Sequence, residues 1–421
     1  TGRVFTPKQP FADAPDRRLV LGLLHDRQGR VIDECLGVVC RAPHSYTGEE
    51  TVELQCHGSP AMLAAGLEAL LAAGARQAGP GEFTRRAFLN GKLDLTQAEA
   101  VVDLIDAETA DAAANAAGQL GGALKRAIEP VYDGLTDLCS HFHAVLDYPD
   151  EDIEDFGAAE LSGALDRAGA ALQELLATYE KGRHLRQGVR AVLLGKPNAG
   201  KSSLLNQLAG YDRVIVTDIA GTTRDTVEEP VRVGRVLLRL TDTAGIREAG
   251  DAIEALGVAR SEQAAREAEL ALFVCDGSQP LTDEDRRAIE AAKCAPRSLA
   301  LCNKSDLPAA VSPDELPFDT VLTVSARTGA GLDALPALLE GWFLGGNACD
   351  GSLLTNPRQF GALDRASRAI ARAKTGLGLG VTPDAVLTDV EEAMAALGEV
   401  TGRTVREDIT NRIFERFCVG K

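Results

Sequence analysis

Short apolar runs alternate with helical patterns through the middle of the chain. These runs are bounded by turn residues, have the length of buried strands, and cover residues 189–194, 236–240, 298–301 and 321–324. Strands that alternate with helices form a parallel sheet with helices on both faces. We therefore predict one α/β domain over residues 189–345.

Helical patterns precede this domain. Residues 96–99, Thr-Gln-Ala-Glu, have the capping-box pattern and open an Ala-rich amphipathic stretch that continues to about residue 144. A second helix is predicted over residues 158–179.

Helical patterns also follow the α/β domain. They return after a linker at 345–352, first over residues 357–374 and then from residue 384 to the end. The simplest arrangement inserts the α/β domain into an all-α domain made of residues 96–188 and 346–421.

The first part of the chain has a different pattern. In residues 1–95, β-like runs at 19–24 and 51–56 are followed by a helical pattern at 60–73. We predict a small α+β domain here. The fold class is therefore a multi-domain α/β and α protein.

A phosphate-binding loop follows the first strand of the α/β domain. Residues 195–202 read Gly-Lys-Pro-Asn-Ala-Gly-Lys-Ser, and a helix begins directly after them. Such a loop surrounds a phosphate with backbone N–H groups at the positive end of a helix. Alone, the pattern also arises by chance. The residues expected to bind nucleotide here, with Ser202 also a Mg²⁺ ligand, are Asn198, Ala199, Gly200, Lys201, Ser202 and Ser203.

A second motif follows the strand at residues 236–240. Its aspartate, Asp242, can hold a Mg²⁺-bound water, and the N–H of Gly245 can approach the γ-phosphate. Upstream, residues 217–225 are the expected first switch, in which Thr223 is the natural Mg²⁺ ligand. The second motif consists of Asp242, Thr243, Ala244 and Gly245.

Two further motifs predict that the base is guanine. The carboxylate of Asp306 can accept hydrogen bonds from N1–H and the 2-amino group of guanine, a donor pair that adenine lacks. After the last strand, residues 325–327 supply a backbone N–H for the guanine carbonyl. The expected base contacts are Asn303, Lys304, Asp306, Ser325, Ala326 and Arg327. Four motifs in order, each after an apolar strand, predict a GTPase of the Ras-like α/β class.

The usual water-positioning glutamine is replaced. In Ras-like GTPases a glutamine follows the Asp-x-x-Gly motif, whereas Ile246 stands here and cannot orient water. Either hydrolysis is very slow or another group acts. The acidic candidates downstream are Glu248, Asp251 and Glu254.

The transition state also needs a source of positive charge. The amide oxygen of Asn198 and oxygens of the first switch can hold a monovalent cation beside the β- and γ-phosphates, where an arginine finger acts elsewhere. An asparagine in this loop serves equally well as a turn residue.

Composition and charge limit the binding partners and the cellular location that we expect for this chain. The chain has 421 residues and a net charge of −18, which argues against broad nonspecific nucleic-acid binding. Nine cysteines without a Cys-x-x-Cys pair, and no apolar run of membrane-spanning length, indicate a reducing, cytoplasmic location without a membrane. The chain starts at Thr1 and shows no signal sequence, and we expect that part of the N-terminus is absent.

Two further patterns, a pair of histidines and a series of arginines, are considered as a metal site and as an RNA-binding face. His141 and His143 are two residues apart on a predicted helix, so they make a poor metal pair. Arg365, Arg368 and Arg372 recur at helical spacing and either face RNA or form a solvated helix face, which is the commoner case.

Several segments together resemble the MnmE (TrmE) family of bacterial tRNA modification GTPases over essentially the whole chain. Nothing in helix packing demands a cysteine three residues from a chain end, so the ending Phe-Cys-Val-Gly-Lys is highly specific. The segments that carry the resemblance are residues 45–50, 52–58, 80–95, 195–202, 221–225, 242–247 and 417–421.

The resemblance implies how the domains divide and how hydrolysis works. It implies an N-terminal folate-binding-like and dimerising domain, an all-α helical domain and an inserted P-loop GTPase domain. It also implies a K⁺-stimulated GTPase whose two G domains meet across the nucleotides, with Glu254 orienting the water. In the family pattern K⁺ is bound by Asn198, Thr217, Ile219 and Thr222.

The resemblance further implies partners and substrates. The family acts as a homodimer with the FAD-dependent protein MnmG, in a heterotetramer, on the wobble uridine of tRNA. It adds an aminomethyl or carboxymethylaminomethyl group to C5 of that base. The cofactors implied are GTP, Mg²⁺, K⁺ and a tetrahydrofolate derivative, either 5-formyl- or 5,10-methylene-tetrahydrofolate. Cys418 matches the terminal cysteine, a hypothetical catalytic group, and Lys421 ends the motif.

One family segment is missing from this chain. The family begins with a Pro-Pro-Gly-Arg-Gly-type segment that helps to form the folate pocket, and this chain enters after it. The remaining candidates for folate contacts are Glu50, Arg85, Arg86 and Asn90.

Two other functions share the nucleotide motifs. A ribosome-assembly or regulatory GTPase that binds rRNA has the same four motifs but has no use for a folate domain or for Cys418. A nucleotide-switched scaffold would leave all tRNA chemistry to a partner, and replacing Cys418 would then change nothing.

Overall fold

The computed structural model describes residues 2–8, 15–147, 158–211, 228–241, 254–345, 350–403, 413–414 and 417. The chain forms two compact units. The first contains Thr1–Val102, Gln119–Leu161 and Arg372–Lys421, and the second contains Asp103–Gly118 and Ser162–Ala371.

The first unit begins with a four-stranded antiparallel sheet in the order β1-β2-β3-β4. Its apolar side chains alternate, so Leu24 and Cys35 point to one face and pack against Ala69 of a covering helix. The predicted α+β fold is confirmed. The elements are β1 Phe5–Pro7, β2 Val20–His25, β3 Val31–Cys40, β4 Thr51–Gln55, α1 Pro60–Ala72 and α2 Glu82–Leu89.

The Ala-rich stretch forms several helices. One predicted helix start is wrong. The helix that contains Thr96 begins at Leu95, and the capping box joins Asp94 to Gln97: the Gln97 N–H donates to Asp94 Oδ1 at 2.9 Å, and the Asp94 N–H donates to Gln97 Oε1 at 3.0 Å. The helices are α3 Leu95–Ile105, α4 Ala110–Leu120, α5 Ala123–Asp147, α6 Ala158–Ala177 and α7 Tyr179–Gln187.

The helix predicted over 158–179 is confirmed as α6, but the helix α7 that follows it was not predicted. The two helices meet at Thr178, whose hydroxyl donates to the Leu175 carbonyl at 2.7 Å, and α7 extends to Gln187. A side chain that bonds to the preceding turn competes with helix continuation at this point.

The second unit contains a six-stranded sheet in the order β10-β9-β8-β5-β7-β6, parallel except for β6. Buried clusters cover both faces, and every residue of β8 is buried. The predicted α/β fold is confirmed. The elements are β5 Val189–Leu194, α8 Lys201–Tyr211, β6 Glu228–Val233, β7 Val236–Thr241, α9 Glu254–Glu267, β8 Leu270–Asp276, α10 Asp283–Ala292, β9 Arg297–Asn303, β10 Val321–Thr323 and α11 Ala334–Phe343.

Two long helices follow, α12 Pro357–Gly378 and α13 Pro383–Thr401. Within the first unit α13 packs on α5, where Cys139 Sγ lies 3.4 Å from the Met394 sulfur. The division into four domains at residues 95, 188 and 345 stays a prediction.

Candidate guanine nucleotide site

The loop between β5 and α8 is held close to its neighbours, and this requires glycine at two positions. A Cβ on Gly195, at φ +143°, would lie 2.1 Å from the Val274 carbonyl oxygen of β8. A Cβ on Gly200, at φ +99°, would lie 2.2 Å from Nδ2 of Asn303. Both glycines therefore allow the loop to curl against the strand ends.

Asn198 lies at the exposed tip of this loop with φ +60°. Asparagine tolerates this left-handed conformation better than most residues. The residue is therefore a turn former, as one of its two predicted roles requires. Its exposed amide also leaves the second role, cation binding, compatible with the fold.

The two lysines of the loop have different partners. The Lys201 ammonium donates to the carbonyls of Lys196, at 2.7 Å, and of Gly195. It therefore sits against the loop backbone at the N-terminus of α8, where phosphate oxygens bind. The side chain of Lys196 is 11% exposed, and its ammonium forms an ion pair with the fully buried Asp285 of α10 at 2.9 Å. Lys196 therefore anchors the loop rather than facing a ligand.

Asn303, at the end of β9, ties the phosphate loop to the base loops. Its Nδ2 donates to the Ala199 carbonyl at 2.9 Å, and its Oδ1 accepts from the Ala326 N–H at 2.8 Å. The side chain is 2% exposed, so these bonds are shielded from water. Asn303 thus fixes the distance between the phosphate and base subsites.

The Asp306 carboxylate is positioned as a guanine acceptor. Its Oδ1 accepts from the Ser325 hydroxyl at 2.7 Å, and Arg327 Nη1 lies 3.6 Å from its Oδ2. The hydrogen bond from Ser325, more than any other cause, lowers the pKa of Asp306 below its usual value. The carboxylate is therefore ionised at neutral pH and acts only as an acceptor, which matches the donor pair of guanine.

The backbone donors of residues 325–327 are partly engaged. The Ser325 N–H donates to the Ala330 carbonyl at 2.9 Å, and the Ala326 N–H donates to Asn303. The Arg327 N–H is therefore the candidate donor for the guanine carbonyl.

Sequence reasoning missed Asp276, at the carboxyl end of β8. This buried carboxylate accepts from the Lys304 ammonium at 2.6 Å and from the Ser278 hydroxyl at 2.6 Å. It thereby holds Lys304, whose φ is +67°, in place beside Asn303. The available signal was an acidic residue that ends an apolar run at the same sheet edge as the predicted motifs.

Several predicted site residues lie outside the described part of the chain. Of Glu254 the structure describes only the backbone, which begins α9. The Mg²⁺ and K⁺ ligands that we expect in the switch segments therefore stay predictions. The residues outside the description are Thr217, Ile219, Thr222, Thr223, Asp242, Thr243, Ala244, Gly245, Cys418 and Lys421.

The folate candidates are only partly brought together. Arg86 Nη1 donates to Glu49 Oε2 at 2.9 Å, and Asn90 Nδ2 donates to Glu49 Oε1 at 3.3 Å. Glu49, which was not among the candidates, thus joins Arg86 and Asn90 on α2 and its C-terminal end, and the folate roles of all four candidates stay predictions.

Two of the three arginines that recur at helical spacing, Arg365, Arg368 and Arg372, form ion pairs with acidic residues. Arg368 forms an ion pair with Asp364 at 2.7 Å, and Arg372 pairs with Asp389 at 2.9 Å. These pairs favour the solvated helix face over an RNA-facing stripe.

The open α/β sheet, the glycine-bounded phosphate loop and the Asn303–Asp306 base loop define a P-loop protein of the guanine-nucleotide-binding class. Two family profiles match this chain, "MnmE helical domain" over residues 95–418 and "GTP-binding protein TrmE N-terminus" over residues 2–92. The chain therefore belongs to the MnmE family of tRNA modification GTPases, and it is a GTP hydrolase.

Individual proteins with similar sequences support the same family assignment. The tRNA modification GTPase MnmE of Roseiflexus sp. (strain RS-1) is 45% identical over 435 residues, which cover 100% of this chain and 93% of that protein. The one from Symbiobacterium thermophilum is 43% identical, with the same coverage of both proteins. The one from Geobacter sulfurreducens is 43% identical over 93% of this chain and 87% of its own length. In the part of the chain that the structure describes, every helix is too short or too polar to span a lipid bilayer.

Proposed function

We propose that this chain couples GTP hydrolysis to modification of tRNA at the wobble uridine. With the FAD-dependent partner MnmG, it adds an aminomethyl or carboxymethylaminomethyl group to C5 of uridine 34. One observation carries the proposal: the similarity to tRNA modification GTPases runs through all of this chain at 45% identity and is not confined to the nucleotide motifs. An rRNA-binding GTPase would share the motifs but not residues 2–92.

The nucleotide site is expected to work through its fixed polar groups. Asp306 selects guanine, the α8 N-terminus and Lys201 bind the β- and γ-phosphates, and Asn303 keeps both subsites in register. The exposed hydroxyl of Ser202 in the first turn of α8 fits a Mg²⁺ ligand, with Thr223 and a water on Asp242 completing the set. When bound, Mg²⁺ neutralises charge on the phosphates.

K⁺ stimulation is proposed from Asn198 and the replaced glutamine. The left-handed loop tip leaves the Asn198 amide exposed beside the phosphate subsite, where Thr217, Ile219 and Thr222 are expected to add oxygen ligands. A bound K⁺ supplies positive charge at the transition state. Glu254 orients the attacking water.

This cation role predicts a salt dependence. GTP turnover should be much faster in KCl than in NaCl at equal ionic strength, and Asn198→Ala should remove most of that difference. Nucleotide affinity, measured by titration with a fluorescent GDP analogue, should change little, because the backbone N–H groups remain. Equal turnover in both salts would eliminate the K⁺ site.

A folate site in the first unit is proposed to lie near the terminal cysteine. Phe417, which directly precedes Cys418, packs against Phe414 with ring centroids 5.0 Å apart. A Cβ on Gly81, at the start of α2, would lie 2.8 Å from the Phe417 Cβ. This proximity supports placing Cys418 and the Arg85, Arg86 and Asn90 candidates around one 5-formyl- or 5,10-methylene-tetrahydrofolate.

Reconstitution tests the function as a whole. The purified chain, MnmG, GTP, K⁺, 5,10-methylene-tetrahydrofolate and an ammonium or glycine donor are incubated with unmodified tRNA. We expect aminomethyl- or carboxymethylaminomethyl-uridine at position 34 by nucleoside mass spectrometry, and no product when GTP is replaced by a nonhydrolysable analogue. Active GTP turnover without any modified uridine would favour the rRNA-binding alternative.

A further inference from the structure

A cluster of sulfur and carboxylate groups lies on the N-terminal sheet, in the unit that does not contain the nucleotide loops. It consists of Asp33 and Cys35 on β3 and Cys56 directly after β4. One ligand atom from each, a carboxylate oxygen or a Sγ, lies within 4.8 Å of both others.

The strand pairing brings these groups together. Asp33 and Cys35 are two residues apart on β3, so their side chains share one face of the sheet. In the β3–β4 ladder Leu36 pairs with Gln55, which places Cys56 directly opposite Cys35. Directly opposed side chains of antiparallel strands have Cβ atoms roughly 5 Å apart. The cluster is therefore fixed by backbone register rather than by a flexible loop.

His57 holds the carboxylate in position. Its Nδ1 lies 2.8 Å from Asp33 Oδ1, and its backbone N–H donates to Asp33 Oδ2 at 3.0 Å. Carboxylates that bind metals are commonly oriented by such hydrogen bonds from a neighbouring group. The Asp33 side chain is 10% exposed, so its position is set by these bonds rather than by water.

Burial gives the cluster a closed and an open side. Cys35 is 3% exposed and packs among Leu24, Phe5 and Ala69. Cys56 is half-buried, and the imidazole of His57 is exposed. An ion can therefore enter from the His57 side while the core covers the opposite side.

We propose that Asp33, Cys35 and Cys56 bind a thiophilic divalent cation of the Zn²⁺ class. Two thiolates and one carboxylate are a tetrahedral ligand set for Zn²⁺ with one position left for water, and the thiolates disfavour Mg²⁺ and K⁺. Binding releases the two thiol protons to solvent. This site is separate from the cation sites expected at the nucleotide.

The test uses the reduced full chain. Zn²⁺ is titrated against a chromophoric chelator, and Co²⁺ is added to a second sample to look for thiolate-to-cobalt charge-transfer absorption. We expect each chain to bind one Zn²⁺ tightly, and we expect the Cys56→Ser variant to lose this tight binding. We expect the control variant Cys40→Ser, at a half-buried cysteine of β3 outside the cluster, to keep this bound Zn²⁺. His57→Ala should weaken binding by roughly 10–100-fold.

Further measurements separate the site from misfolding and from a disulfide. Far-ultraviolet circular dichroism and GTP turnover should be unchanged in Cys56→Ser, because Cys56 is not one of the residues of the nucleotide site. The proposal would be overturned if Cys35 and Cys56 form a disulfide in the oxidised protein and the fully reduced protein binds no Zn²⁺. Zn²⁺ affinity that is equal in Cys56→Ser and the parent chain would also overturn it.

Discussion

Asn303 and Asp306 stand three residues apart but bind different partners. Asn303 makes both of its bonds inside the protein, to Ala199 and Ala326, whereas the Asp306 carboxylate is held by Ser325 with its acceptor capacity left for a ligand. Of these two side chains, only Asp306 should therefore contribute directly to base selectivity.

The substitution Asp306→Asn tests this directly. An asparagine accepts from N1–H but presents a donor to the 2-amino group of guanine, whereas xanthine has a carbonyl there. GTP affinity should fall by roughly 10²-fold, about 3 kcal/mol, and xanthosine triphosphate should now bind. Competition with a fluorescent nucleotide measures both. A variant that still prefers GTP over xanthosine triphosphate contradicts the assignment.

Glu254 is predicted to act on water and not on nucleotide. Glu254→Ala should hydrolyse GTP roughly 10²-fold more slowly while its GDP affinity stays within twofold. Glu267→Ala, at the exposed other end of α9, is the matched control and should be unaffected. Normal turnover in Glu254→Ala would return the role to Glu248 or Asp251.

Sequence patterns suffice to predict these site residues, because spacing after strands is local information. They missed Asp276 and the Lys196–Asp285 ion pair, because both depend on which strands and helices become neighbours. The residues of the phosphate and base loops could be predicted from sequence, but the groups that brace these loops could not.

At the scale of elements, the start of α3 shows how one turn can be misassigned. Asp94-Leu95-Thr96-Gln97 and Thr96-Gln97-Ala98-Glu99 both fit a capping box, and the sequence does not say which Ncap is used. In the structure Thr96 is fully buried and its hydroxyl donates to Asp94 Oδ1 at 2.6 Å. Burial, which a local pattern does not contain, decides between the two.

Asp94→Ala should therefore destabilise the first unit by about 1 kcal/mol, because the Gln97 N–H loses its acceptor. Urea denaturation followed by circular dichroism should show the transition at lower urea. Asp94→Asn keeps a capping oxygen and should lose less stability. Equal stability of Asp94→Ala and the parent chain would show that the Asp94 cap contributes nothing.

At the scale of the whole molecule, the alternation of strands and helices was enough to predict the parallel sheet. The strand order was not predictable, because β5 comes first in this sheet but lies between β7 and β8. That order arises from crossover connections that pack helices on both faces.

Helix α1 has an exposed apolar stripe that suits the homodimer implied by the family resemblance. Leu63, Leu67 and Leu71 recur every four residues and are 48%, 50% and 38% exposed. Leu67→Glu should shift the chain from dimer to monomer at micromolar concentration, since a buried unpaired charge costs several kcal/mol. Sedimentation velocity measures the mass. Leu379→Glu, a more exposed leucine outside the stripe, should leave the mass of the dimer intact, and a dimeric Leu67→Glu variant would exclude this surface.

The most direct measurement is nucleoside mass spectrometry of position 34 in tRNA from cells that lack this chain. The account predicts that the C5 modification disappears, that the parent gene restores it, and that the Glu254→Ala variant, made at equal protein level, does not. A full complement of modified wobble uridine in the deleted cells would contradict the account.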